Sequence, residues 1–154
     1  MYFEISDDRI LNLSNVNTIN IDSANCRIAF NFNYSINIPI KDNDYKTVSG
    51  YAYWNFENVQ SMRNGYKKLL ENPYIKMHFV KRDEYGIVNL SCMTSVHFND
   101  LKQNIVINLN NAIYVRDESL PTGMKNIGNF IYLNFKTEKD YYEAKQNIKM
   151  LLSC

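Results

Sequence analysis

A thiol and an imidazole five residues apart, Cys92 and His97, are the nearest this sequence comes to a nucleophile with its base. Such a pair works when the chain before the imidazole folds back and a third group orients the ring in a cleft. The plainer reading is a polar strand residue beside a buried structural thiol. His78, between Met77 and Phe79, reads as a strand-edge residue, and no spacing of His and Cys matches a metal site. A phosphate-cradling glycine loop, H-E-x-x-H, G-x-S-x-G and a dinucleotide fingerprint are all missing from a chain with five glycines. The expectation is therefore a non-enzymatic protein, with no cofactor, no metal and no catalytic residue.

The other chemistry on offer is stacking. Tyr51-Ala52-Tyr53-Trp54-Asn55-Phe56 and Phe130-Ile131-Tyr132-Leu133-Asn134-Phe135 alternate in the same way. If Ala52, Trp54 and Phe56 face a helix, Tyr51, Tyr53 and Asn55 point the other way, and Phe130, Tyr132 and Asn134 hold the equivalent places. Neighbouring strands would add Asn20, Asn31 and Asn33, then His97, Val106 and Asn108. Aromatic side chains on an open sheet stack bases, at roughly 1–3 kcal/mol per base. Arg27, Lys46, Lys102 and Lys125, at strand starts and loops, are the residues that would touch phosphates. The same tyrosines would serve equally as a buried contact with the other half of the chain or with a second subunit.

These residues sit in a pattern that recurs. Ile10-Leu11-Asn12-Leu13-Ser14 returns as Ile87-Val88-Asn89-Leu90-Ser91, and Ile28-Ala29-Phe30-Asn31-Phe32 as Ile105-Val106-Ile107-Asn108-Leu109, both at an offset of 77. The Tyr51 and Phe130 segments align at an offset of 79. Such self-similarity marks two structural units that share a core. Within each, period-two segments predict antiparallel strands covered on one side. Strands are expected around Tyr2 to Ile5, Arg9 to Leu13, Thr18 to Asp22 and Arg27 to Tyr34, and again around Met77 to Lys81 and Gly86 to Leu90.

Each unit closes on a helix, Val59 to Leu70 and Tyr141 to Leu152, whose apolar residues share one spacing and one stripe. Thr137-Glu138-Lys139-Asp140 supplies a capping-box-like start, and Asn72-Pro73 ends the first helix. Gly65 costs that helix roughly 1 kcal/mol relative to alanine, which a close helix–helix or helix–sheet contact would explain, as would drift. Two polar stretches, Asn37 to Gly50 and Arg116 to Gly128, read as matching loops on one face. The expected fold is α+β, a single domain over 1–154 made of two tandem repeats (1–72 and 76–154). Each repeat is a set of antiparallel strands closed by one amphipathic helix.

The 154 residues carry 17 basic against 16 acidic side chains, so no global charge argues for nucleic acid or an anionic membrane. Cys26, Cys92 and Cys154 are widely spaced, as in a reduced, cytoplasmic protein rather than a disulfide scaffold. The N-terminus has neither a basic nor an apolar signal region, and no apolar run approaches the ~18 residues of a membrane span. The weight of Asn, Ile, Lys and Tyr resembles proteins of AT-rich bacteria and their phages or plasmids.

Two tandem strand–helix units, over Ile10 to Leu70 and Ile87 to Leu152, resemble the Whirly and PUR-repeat class of single-stranded nucleic-acid-binding proteins. The resemblance lies in the order of elements. It implies that the helices pack together while the sheets present aromatic and basic residues to the strand, here Tyr51, Tyr53, Phe130 and Tyr132. This chain departs from the class in charge, its outward positions being mostly Asn. The expected function is single-stranded DNA or RNA binding on an aromatic sheet face. The alternative is a protein-interaction module, an inhibitor or accessory factor of a phage or plasmid, acting through 37–50 and 116–128. A homo-oligomer is expected because exposed edge strands need covering.

Overall fold

Period-two alternation builds antiparallel strands along this chain, and three α-helices among the described residues complete an α+β fold. The computed structural model describes the backbone of all residues except 7–8, 40–44, 111–112, 117–123, 128–129 and 154, and the side chains of those outside 34–49 and 111–129. The first strands are β1 (Tyr2–Ser6), β2 (Arg9–Asn12), β3 (Val16–Asp22), β4 (Arg27–Pro39) and β5 (Tyr45–Asn55), followed by α1 (Val59–Leu70) and the short α2 (Pro73–His78). Next come β6 (Phe79–Asp83), β7 (Gly86–Asn89), β8 (Met93–Asn99), β9 (Asn104–Leu109), β10 (Ile113–Arg116), β11 (Met124–Ile127) and β12 (Phe130–Asn134). The chain ends in α3 (Glu138–Leu152).

The sheets do not follow chain order. β5, β4, β3, β7 and β6 line up as one five-stranded sheet, so two strands from beyond α1 complete a sheet begun before it. The joint is the β3–β7 ladder, which pairs Thr18 with Val88, Ile19 with Ile87 and Asn20 with Gly86. β12, β9 and β8 form a second sheet, while β1–β2 and β10–β11 are two-stranded.

Two buried clusters fill the interior. The first gathers Phe3, Leu11, Ile19, Ile28, Phe30, Met62 and Leu69, together with Phe79 and Ile87 from the joining hairpin. The second gathers Val80, Val88, Ile105, Ile107, Leu133, Tyr141 and Ile148. Alternate residues of β6 and β7 thus enter different cores, because successive side chains leave opposite faces of a strand.

Local chemistry explains the element ends. Asn58 and Thr137 cap α1 and α3, their side chains accepting from the Ser61 and Asp140 amides. Asn12 and Asn89 each accept from the amide two residues on and open a 3-10 turn, Leu13–Asn15 and Leu90–Cys92. Gly65 is buried where α1 meets the sheet, and a Cβ there would stand 2.5 Å from the Phe56 ring. The close contact expected of that glycine is present.

Two expectations need correction. Asn37 to Gly50 is not a loop throughout: Asn37 pairs with Thr47 and Ile38 with Lys46, so β4 and β5 run on as a hairpin to Pro39 and Tyr45. Likewise Arg116 pairs with Met124, and 117–123 and 128–129 lie outside the described residues. The alternation of Ser35-Ile36-Asn37-Ile38 carries the ladder through a polar stretch. Met77 and His78 belong to α2 rather than a strand, since Asn72 caps a turn whose first residue is Pro73. Among the described residues no helix is long and apolar enough to cross a membrane.

Candidate functional site

β5 and β12 are edge strands whose alternate residues divide between core and surface. Ala52, Trp54 and Phe56 pack against the first core, and Leu133 and Ile131 belong to the second. Tyr51, Phe130 and Tyr132 project away from those cores and are 51, 56 and 58% exposed. Tyr53 is half-buried for a specific reason. The Arg27 guanidinium lies 4.2 Å above its ring centroid, and the Tyr51 ring runs parallel to it at 6.3 Å.

Each aromatic leads a row across three strands. Tyr51 is opposite Asn31, which is opposite Thr18, and the Asn31 carboxamide donates to the Thr18 hydroxyl. Phe130 is opposite Asn108, which is opposite Ser95, and the Asn108 carboxamide donates to the Ser95 hydroxyl at 2.7 Å. In both rows the asparagine Oδ1 is buried without a partner. The two rows therefore share one pattern, an exposed ring flanked by a hydroxyl-anchored amide whose oxygen is closed to solvent.

The expected phosphate contacts are not equivalent. Arg27 Nε lies 2.7 Å from Asp22 Oδ2, so its charge is already answered. Hydrogen bonds from the Asn25 side chain first, then from Arg27, hold the Asp22 carboxyl below the usual carboxylate range. Lys102 is exposed in the β8–β9 turn, its amide donating to Asn99 Oδ1. Lys46 pairs with Ile38 and Lys125 with Val115, both within hairpin arms whose side chains lie outside the described ones.

Other sequence candidates are not brought together. The Cys92 thiol points inward to the Ser14 and Val16 carbonyls, at 3.4 and 3.7 Å, and burial pushes it above the ordinary thiol range. His97 is exposed on β8, opposite Val106. The His78 ring packs against Tyr74 with centroids 4.2 Å apart. No group of three His, Cys, Asp or Glu side chains stands ready for a metal ion among the described residues. A cleft of about 890 Å³ opens between β6 and α3, floored by Val80, Leu133 and Ile148 and rimmed by charges of both signs.

A network that periodicity does not foretell sits at the end of the second sheet. Asp100 accepts from Lys145 Nζ at 2.6 Å and from the Tyr141 hydroxyl, which pins the β8–β9 turn to α3. The Lys145 ammonium also lies 5.6 Å from the Phe98 ring. No family model, curated protein or solved structure matches this chain.

Proposed function

We propose that this chain is an internally duplicated, non-enzymatic protein of the Whirly/PUR-repeat kind that binds single-stranded nucleic acid across its two aromatic rows. The observation that carries the reading is the paired geometry of Tyr51–Asn31–Thr18 and Phe130–Asn108–Ser95. An exposed ring offers a stacking platform to any base. Duplication is supported by matching strands β3 and β8, each of seven residues, which begin 77 positions apart. It is supported too by Cys26 and Gln103, which have positive φ of 47° and 50° and stand in hairpin turns 77 positions apart.

Because Arg27 is held by Asp22, stacking rather than charge supplies most of the affinity. With Lys46, Lys102 and Lys125 as phosphate contacts, log K falls against log salt with a shallow slope of about −2. Fluorescence anisotropy with labelled single-stranded DNA, single-stranded RNA and duplex, at two salt concentrations, tests this. Single strands are expected to bind in preference to duplex. The double variant Tyr51→Ala/Phe130→Ala is expected to lose about 2–6 kcal/mol of binding, roughly 1–3 per stacked base, while its unfolding midpoint stays put. Absence of binding at low salt, or unchanged affinity in the double variant, removes nucleic acid from the reading.

A further inference from the structure

The two-unit reading makes β1–β2 the counterpart of β6–β7, yet the two hairpins end up in different places. β7 pairs with β3, and its face is covered: Phe79 and Ile87 are 7 and 5% exposed. Their counterparts at an offset of 77, Tyr2 and Ile10, are 72 and 64% exposed. The strand corresponding to β3 is β8, and it ends its sheet with no neighbour on its outer side among the described residues. Half of a reciprocal exchange is closed and the other half stands open.

The missing half is already in reach. The turn that follows β2 touches the turn that precedes β8, and Asn89 Nδ2 donates from the second turn to the Leu13 and Val16 carbonyls around the first. β2 therefore ends, and β8 begins, at a shared junction. Phe3 and Leu11 already anchor the hairpin's other face in the first core, as Val80 and Val88 anchor β6–β7 in the second. We propose that the β1–β2 hairpin closes onto β8, pairing Leu11 with Ser95, Ile10 with Val96 and Arg9 with His97. This completes a five-stranded sheet of order β12, β9, β8, β2, β1.

One residue explains why the two strands are not paired. Gly86 lies so close to β3 that a Cβ would be 3.0 Å from the Ile19 carbonyl oxygen and 2.6 Å from Asn20 Oδ1. Its counterpart is Arg9, which has that Cβ. Closure zips readily over Leu11 and Ile10 and is resisted at its last pair.

The test is Ile10→Cys/Val96→Cys in a chain carrying Cys26→Ser, Cys92→Ala and Cys154→Ser, oxidised at low concentration, with linkage read by peptide mass. Directly opposed residues of a ladder are within disulfide reach. Closure predicts loss of both free thiols into an intramolecular link, formed severalfold faster when Arg9→Gly is added. A link between two chains overturns the proposal and makes the β8 edge a contact with a second copy. Two free thiols in a folded protein, or a rate indifferent to Arg9→Gly, also overturn it. Hydrogen exchange on the unmodified chain stands beside this: Met93–Asn99 exchanging as slowly as Val16–Asp22 supports closure, and markedly faster exchange opposes it. Neither readout involves nucleic acid, so failure here is separate from failure of the binding reading.

Discussion

Asn89 does two jobs, and its counterpart Asn12 shares only the first. It is fully buried, its Oδ1 takes the Ser91 amide and hydroxyl, and its Nδ2 reaches the Val16 carbonyl at 2.8 Å. Asn12 accepts from the Ser14 amide and hydroxyl in the same way, but its surroundings are more open. Removing a buried amide strands its partners without water, at about 1–3 kcal/mol. Asn89→Ala is therefore expected to lower stability by about 2 kcal/mol in urea unfolding, and Asn12→Ala by about 1 or less as a lost turn cap. Equal losses would show that the turn alone matters. From the sequence these asparagines look alike, both beginning an Asn-Leu-Ser triplet. The difference arises because a partner 73 residues away has no signature in the triplet.

At the scale of elements, the helices were readable because their causes are local. The stripe from Val59 to Leu70 and the threonine at 137 are enough to predict α1 and the start of α3, and both helices form there. The hairpin arms are hidden in the sequence because Asn, Lys and Asp between Asn37 and Gly50 disguise a period-two pattern. Gly65 links α1 to β5 through a contact that spacing can suggest but not measure. A methyl group there meets the Phe56 ring at 2.5 Å and Trp54 at 3.3 Å, and those rings already lie 4.7 Å apart. Overpacking costs about 1–3 kcal/mol, against about 1 kcal/mol of helical gain from alanine. Gly65→Ala is expected to be net destabilising by about 1 kcal/mol, measured by thermal melting. A rise in Tm would mean that Phe56 swings clear.

At the scale of the molecule, periodicity points to two similar segments without revealing that β7 crosses to β3. The outward faces of β5 and β12 follow from alternation alone, and Tyr51, Phe130 and Tyr132 are exposed as that alternation requires. The pairing of Arg27 with Asp22 joins neighbouring strands, and the crossing of β7 onto β3 joins distant ones, so neither can be seen in a single segment. That crossing makes each half incomplete. A fragment of residues 1–72 lacks Tyr74, Ile75, Phe79 and Ile87 from its core and leaves the edge of β3 bare. It is expected to show no cooperative unfolding by circular dichroism, and to regain it on mixing with 73–154. A fragment that folds alone would mean the joint is dispensable.

The strand crossing also sets a timetable for synthesis. A nascent chain that has delivered α1 from the ribosome still cannot seal its first sheet, because β7 is yet to be made. Until residues 79–89 emerge, Ile19 waits without the Ile87 that lies opposite it in the finished ladder. The first unit therefore passes through translation with an uncovered strand, open to pairing with a neighbouring nascent chain. Pace of elongation just beyond Leu70 then governs how long that hazard lasts.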